Sequence, residues 1–107
     1  MLLYNCLNVI QDIQSVNRKY SINELQANLL NYICSKHLQK QECRVMEVIY
    51  LSEIGSPATL HKNLKILVDL QLVDILTDKN DFRMKLVSPA LRAMDRLKEL
   101  ESFLHKP

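Results

Sequence analysis

Leu2, Cys6, Val9, Ile13, Val16 and Tyr20 recur at alternating spacings of four and three, which sets one apolar stripe along a helix from about residue 3 to residue 18. Ser21-Ile22-Asn23-Glu24 then reads as a capping box, and Ile22, Leu25, Leu29, Tyr32 and Ile33 supply the inward face of a second helix ending near His37. Gln39-Lys40-Gln41 is a polar connector. Over residues 42 to 54, Val45, Met46, Ile49, Tyr50 and Ile54 predict a third helix in spite of the β-branched residues in it. A fourth, from residue 56 to about 70, turns Leu60, Leu64, Leu67 and Val68 inward and His61, Lys62 and Lys65 away. The period then changes from helical to alternating. Residues 72–77 and 82–87 flank the polar Asp78-Lys79-Asn80-Asp81 as the arms of a hairpin, with Phe82, Met84 and Leu86 on one face and Arg83 and Lys85 on the other. Ser88-Pro89 is read as the opening of a last helix reaching about residue 104. Its apolar band, Leu91, Ala93, Met94, Leu97, Leu100, Phe103 and Leu104 among others, is wider than one core-facing stripe needs.

The joint between the third and fourth helices holds the only glycine, Gly55, followed by Ser56-Pro57. Glycine eases a sharp turn, a serine side chain caps the first free amides of a helix, and proline suits the first helical position, where no amide hydrogen is needed. This is a helix-turn-helix pattern. Its second helix carries Thr59, His61, Lys62 and Lys65 with no acidic residue until Asp69, which suits a helix that enters a DNA groove.

Composition narrows the class without deciding the partner. The 107 residues fit one domain; one glycine and three prolines leave few breakers, so the fold is expected to be mainly α with a small β-hairpin. Fourteen Lys+Arg against twelve Asp+Glu leave a net charge of only +2, so the case for nucleic acid rests on where the cations stand. No signal peptide is recognisable, no apolar run is long enough to span a bilayer, and three cysteines are too few and uneven for a disulfide scaffold, so a cytoplasmic location is expected. His37, His61 and His105 are not beside carboxylate and nucleophile partners and there is no glycine-rich phosphate loop, which argues against an enzyme. Cys6 is expected to be a buried structural thiol, since no Lys, Arg or His lies within a helical turn to activate it as an oxidant sensor. Cys34, His37 and Cys43 lack a fourth ligand at recognisable spacing, and neither a metal nor another cofactor is expected.

The order helix, helix, helix-turn-helix, hairpin, helix resembles a winged helix-turn-helix, and in particular the MarR-type (multiple antibiotic resistance regulator) family of dimeric bacterial repressors. The resemblance is specific from about Val45 to Ala93: the run from Ser56 to Leu67 stands at the family's recognition helix, Leu72-Val73 where a hydrophobic pair opens the wing, Asp81-Phe82-Arg83 at its Asp-x-Arg wing motif, and Val87-Ser88-Pro89 where a helix start follows. Three departures stand out. Gln71 replaces the glycine before the Leu-Val pair, the turn at Gly55 is one residue shorter than the family pattern, and the wing is abbreviated. The resemblance implies major-groove reading by the helix and minor-groove or backbone contact by the wing.

These readings divide the single domain of residues 1–107 into an N-terminal dimerisation helix (1–20), a helix-turn-helix (43–71), a wing (72–87) and a C-terminal helix (88–104). The expected function is sequence-specific binding of double-stranded DNA by a dimeric transcriptional regulator, most simply a repressor, joined through its terminal helices. Lys62 and Lys65 are expected to supply affinity through phosphates; Ser56, Ala58, Thr59 and His61 lie near the helix start, within reach of base edges. Lys79, Arg83 and Lys85 are the wing's candidates, although charged strand edges also serve simply to prevent aggregation. A small apolar effector between the terminal helices and the DNA-binding lobe is a further possibility, with no residue pattern to identify it. The alternative is a winged-helix module that mediates protein assembly without DNA, a reading favoured by the near-neutral charge and the acidic residues at the hairpin tip.

Overall fold

A computed structural model describes residues 1–104 and places His105 and the two residues after it outside its account. The chain runs α1 (Leu2–Lys19), α2 (Glu24–Leu38), α3 (Val45–Ile49), α4 (Pro57–Asp69), β1 (Val73–Thr77), β2 (Lys85–Pro89) and α5 (Leu91–Leu104). β1 and β2 form a two-stranded antiparallel sheet in which Val73 faces Pro89 and Thr77 faces Lys85.

One core gathers Leu29, Leu30 and Ile33 of α2, Val48 of α3, Leu60, Leu64 and Leu67 of α4, and Leu72, Val73, Val87 and Ala93. All are essentially sealed from solvent, and each fully buried aliphatic side chain contributes roughly 1.5–3 kcal/mol. α1, α2 and α4 leave by the same device. Ser21, Lys40 and Gln71 take left-handed backbone (φ 63°, 58° and 61°), and the amides that follow them return to the last turn: Ile22 N to Asn17 O at 3.1 Å, Gln41 N to Lys36 O at 2.9 Å, Leu72 N to Leu67 O at 3.0 Å. The missing glycine at position 71 therefore changes the residue and keeps the conformation.

Several expectations are corrected. The capping box of α2 belongs to Asn23 and Gln26: Asn23 Oδ1 accepts from Gln26 N at 2.8 Å and Gln26 Oε1 from Asn23 N at 3.0 Å, while Ser21 turns the chain out of α1. The third helix is much shorter than residues 42–54. Cys43 O accepts from Val87 N at 2.8 Å and Arg44 pairs with Leu86, so this backbone extends alongside the wing as a third edge before α3 begins. Of the residues named for this helix, Ile49 is buried as expected, but Met46 and Tyr50 are exposed, and Val48, not among them, is sealed in the core.

The second wing strand begins three residues later than expected. It pairs Val87 with Ile75, and Val87 is buried while Leu86, on the face expected to pack, is only half-buried. Phe82 and Arg83 consequently leave the strand for the tip. Ser88-Pro89 closes β2, with Ala90 N donating to Leu72 O at 2.9 Å, and α5 starts only at Leu91. Gly55 does not have positive φ. Its need is close approach: an added Cβ would meet Leu60 Cδ2 at 3.2 Å, against a fully buried side chain.

Candidate nucleic-acid interface

α4 begins where Gly55-Ser56-Pro57 says it should. Ser56 has extended backbone, its Oγ accepts from Thr59 N at 3.3 Å and donates to Thr59 Oγ1 at 2.9 Å, and Pro57 occupies the first helical position. Leu60, Leu64 and Leu67 lock the helix to the core, which leaves Ser56, Ala58, Thr59, His61, Lys62 and Lys65 exposed along its outer side. Lys62 and Lys65 make no ion pair among the described residues. Asn63, on the same helix, is a strut: Gln26 Nε2 donates to its Oδ1 at 3.0 Å and its Nδ2 donates to Thr59 O at 2.8 Å, pinning α4 to the buried Gln26 of α2.

Two more anchors orient the helix-turn-helix. Tyr32 Oη donates to Glu47 Oε2 at 2.6 Å and Lys36 Nζ lies 3.2 Å from the same oxygen, so α3 is tied to α2. Burial pushes the Glu47 carboxyl up, but the Tyr32 hydroxyl, the Arg44 amide and Lys36 outweigh it and hold it below the usual value; the same hydrogen bond, with burial, pushes the Tyr32 phenol up to about 12. At the far end, Arg92 of α5 donates to Leu70 O at the exit of α4, while its guanidinium stands 5.4 Å from the centre of the Tyr20 ring. Arg96, which is 1% exposed, joins α5 to α1 and α2 through Asn17 Oδ1 at 3.0 Å and Asn31 Oδ1 at 2.9 Å.

The structure brings some of the expected residues together and leaves others apart. His61 and Lys65 of α4 and Lys85 of β2 line one groove between α4 and the hairpin, together with Val45, Leu64, Ile75 and the acidic Asp69. Lys85 also borders a second groove with Arg83 and Arg44. Arg44 was not legible as part of this face, because the pairing with Leu86 that carries it there joins distant parts of the sequence. Ser56, Ala58, Thr59 and Lys62 lie outside both grooves on the exposed side of α4, and Lys79 stands on the tip, lining neither. Arg83 is held by Asp81, whose Oδ1 accepts from Arg83 N at 3.0 Å and from Nε at 3.2 Å, yet its side chain is 91% exposed.

Away from this face, Cys34 and Cys43 are core thiols, and burial followed by the nearby Glu47 carboxylate pushes Cys43 up to about 11. Cys6 is exposed, against expectation, because the first half of the α1 stripe finds nothing to pack on within the chain. No helix among the described residues is long and apolar enough to cross a membrane.

α4, the turn before it and the hairpin, built onto α1, α2, α3 and α5, make a winged helix-turn-helix fold. No protein-family model matches the sequence, and no curated protein does. Solved structures do. The chain superposes on the S. aureus MepR–DNA complex with a TM-score of 0.76 at 15% identity, over 97% of this chain and 83% of that one. Transcriptional regulator Tm0710 from Thermotoga maritima gives 0.72 at 18% identity (94% and 68%), and RV1404 from Mycobacterium tuberculosis 0.71 at 19% (95% and 67%). At these identities the likeness is one of fold, and the residues that would read DNA are this chain's own.

Proposed function

We propose that the chain is a DNA-binding transcriptional regulator that acts as a homodimer, with α4 in the major groove and the wing on the adjacent backbone. The observation that carries this reading is the gathering of His61, Lys65 and Lys85 on one groove, on the helix that also exposes Lys62, which has no ion-pair partner among the described residues, in a fold shared with a protein solved as a DNA complex. Exposed lysines on a rigid helix supply phosphate contacts, and Ala58, Thr59 and His61 at its start supply base contacts. Arg44 joins Arg83 and Lys85 as a third cation on the wing side. Repression then follows from occupancy of a promoter.

Dimerisation has its own support. Leu2, Leu3, Leu7 and Ile10 are 50–83% exposed on α1, and Leu104 at the end of α5 is 78% exposed, an apolar surface that a second copy would cover. Two recognition helices about a two-fold axis would meet half-sites about one helical turn apart. The test is binding of duplexes enriched from a random library, titrated with salt. If a dimer neutralises roughly eight phosphates, log affinity falls against log salt with a slope of about −7, and Lys62→Ala or Lys65→Ala each reduces that slope by about 2, one phosphate per subunit. An enriched motif with two-fold symmetry is expected. Unchanged retention of DNA by both variants, or no enrichment at all, would instead support a protein-assembly module.

A further inference from the structure

The alternating pattern assigns Phe82 to the packed face of the hairpin, and the structure puts it 84% in solvent at the wing tip. The position is not a loose end. Met84 N donates to Asp81 O at 3.0 Å, which closes a turn whose two central residues are Phe82 and Arg83, and Asp78 N donates to Met84 O at 2.9 Å, which closes the base of the tip. Asp78 Oδ1 accepts from Asn80 N at 2.9 Å, and Asp81 Oδ1 accepts from both Arg83 N and Nε, so one oxygen of each tip carboxylate is engaged within the tip. What projects from it is an aromatic ring beside a guanidinium.

We infer that Phe82 is an apolar wedge for duplex DNA, packing against sugars and a base step in the minor groove while Arg83 beside it meets the groove's negative potential. This rests on the proposed DNA-binding function and adds a contact to it. Charge selects the occupant. Arg83, next to the ring in the chain, lines one groove with Arg44 and Lys85, and Lys85 also lines the groove it shares with His61 and Lys65 of α4, so the cation beside the ring is continuous with the outer face of α4. An apolar side chain next to an arginine fits a narrow groove whose walls are apolar sugars and whose rims are phosphates. A fixed turn presents it with little ordering left to do on binding.

Because Phe82 is 84% exposed, its replacement should leave the fold unchanged. Duplexes enriched by the wild type are bound by Phe82→Ala, Phe82→Leu and Lys62→Ala at several salt concentrations, with 2-aminopurine placed at steps flanking the recognition-helix site. Phe82→Ala should bind roughly tenfold more weakly with an unchanged salt slope, since the ring neutralises no phosphate, and Phe82→Leu should recover part of the loss. The wild type should also raise 2-aminopurine fluorescence at one step, and Phe82→Ala should not. Affinity and fluorescence unchanged in Phe82→Ala while Lys62→Ala weakens binding would overturn the wedge and leave the DNA-binding reading standing. A change in the self-association of Phe82→Ala with DNA affinity intact would overturn it in favour of a protein contact. Absence of DNA binding by the wild type would overturn the wedge together with the function it rests on.

Discussion

α4 and the first half of α1 are both amphipathic helical surfaces left open by the single chain, yet they are open in opposite ways. α4 is held at its start by the Ser56 cap, in its middle by Asn63 and Gln26, at its end by Arg92, and beneath by three buried leucines; what it shows to solvent is cationic and polar. α1 begins without a side-chain cap and without an acidic residue in its first turn, and of its residues Val16 alone is buried; what it shows is Leu2, Leu3, Leu7 and Ile10. A rigid polar face suits a polyanion whose geometry must be matched. An unsupported apolar face acquires its order from whatever buries it. Under the proposed function, the contrast separates the part of the molecule that would read DNA from the part that would pair.

The largest effect should come from breaking the apolar side of this contrast. Leu3→Asp with Leu7→Asp places four charges across the proposed two-fold interface of a dimer and should yield monomers by analytical ultracentrifugation. A monomer engages one half-site instead of two, so affinity for a symmetric duplex should fall by roughly a hundredfold or more. Thermal unfolding of the rest of the domain should change little, because neither leucine contributes to the core. Hydrogen exchange gives the same answer from the other direction: amides of the first two turns of α1 should exchange quickly in the monomer and slowly in the wild type. A variant that remains dimeric would show that α1 pairs through other residues or not at all.

On the polar side, the cap of α4 offers a smaller and sharper test, since the same dipeptide occurs twice. Ser56→Ala removes the acceptor for Thr59 N and should cost about 1 kcal/mol of stability, with a loss of DNA affinity because the first turn presents Ala58 and Thr59. Ser88→Ala lies in β2 opposite Asp74 and should stay within about 0.5 kcal/mol of wild type. Equal effects in urea unfolding would mean that the cap is not what sets the start of α4.

That pair also shows where the sequence was legible. Gly55-Ser56-Pro57 and the leucines that follow are local signals, and α4 appears within a residue of its expected ends. Ser88-Pro89 carries the same letters, but its backbone is claimed by Val73 and Asp74 across the sheet, a demand invisible to any short window. The third helix was overextended for the same reason, because Cys43 and Arg44 answer to Val87 and Leu86. Of the candidate face, the residues on α4 were readable from periodicity. Arg44 and the position of Phe82 were not, since long-range pairing and strand register fix both. Apolar residues on α1 were counted as one stripe, whereas Leu3, Leu7 and Ile10 add a second ridge that only the absence of a neighbour makes visible.

The smallest effect concerns the exit of α4, where Gln71 holds φ at 61° with a side chain that is exposed. Non-glycine residues are disfavoured in this left-handed region by contact between Cβ and the backbone, and the hydrogen bonds from Gln71 N to Val68 O and Leu72 N to Leu67 O need only the backbone. Gln71→Gly should therefore raise stability by about 0.5–1 kcal/mol, the relief of strain being partly offset by the greater freedom of the unfolded chain. Because position 71 belongs to neither open face, DNA affinity and the monomer–dimer equilibrium should both stay within about twofold of wild type, a change below 0.5 kcal/mol. A stabilised variant whose DNA affinity drops would show that strain at this exit is part of how α4 is aimed, and the proposed division between α4 and α1 would have to be redrawn at Leu70, where Arg92 of α5 links the exit of α4 to Tyr20 at the end of α1.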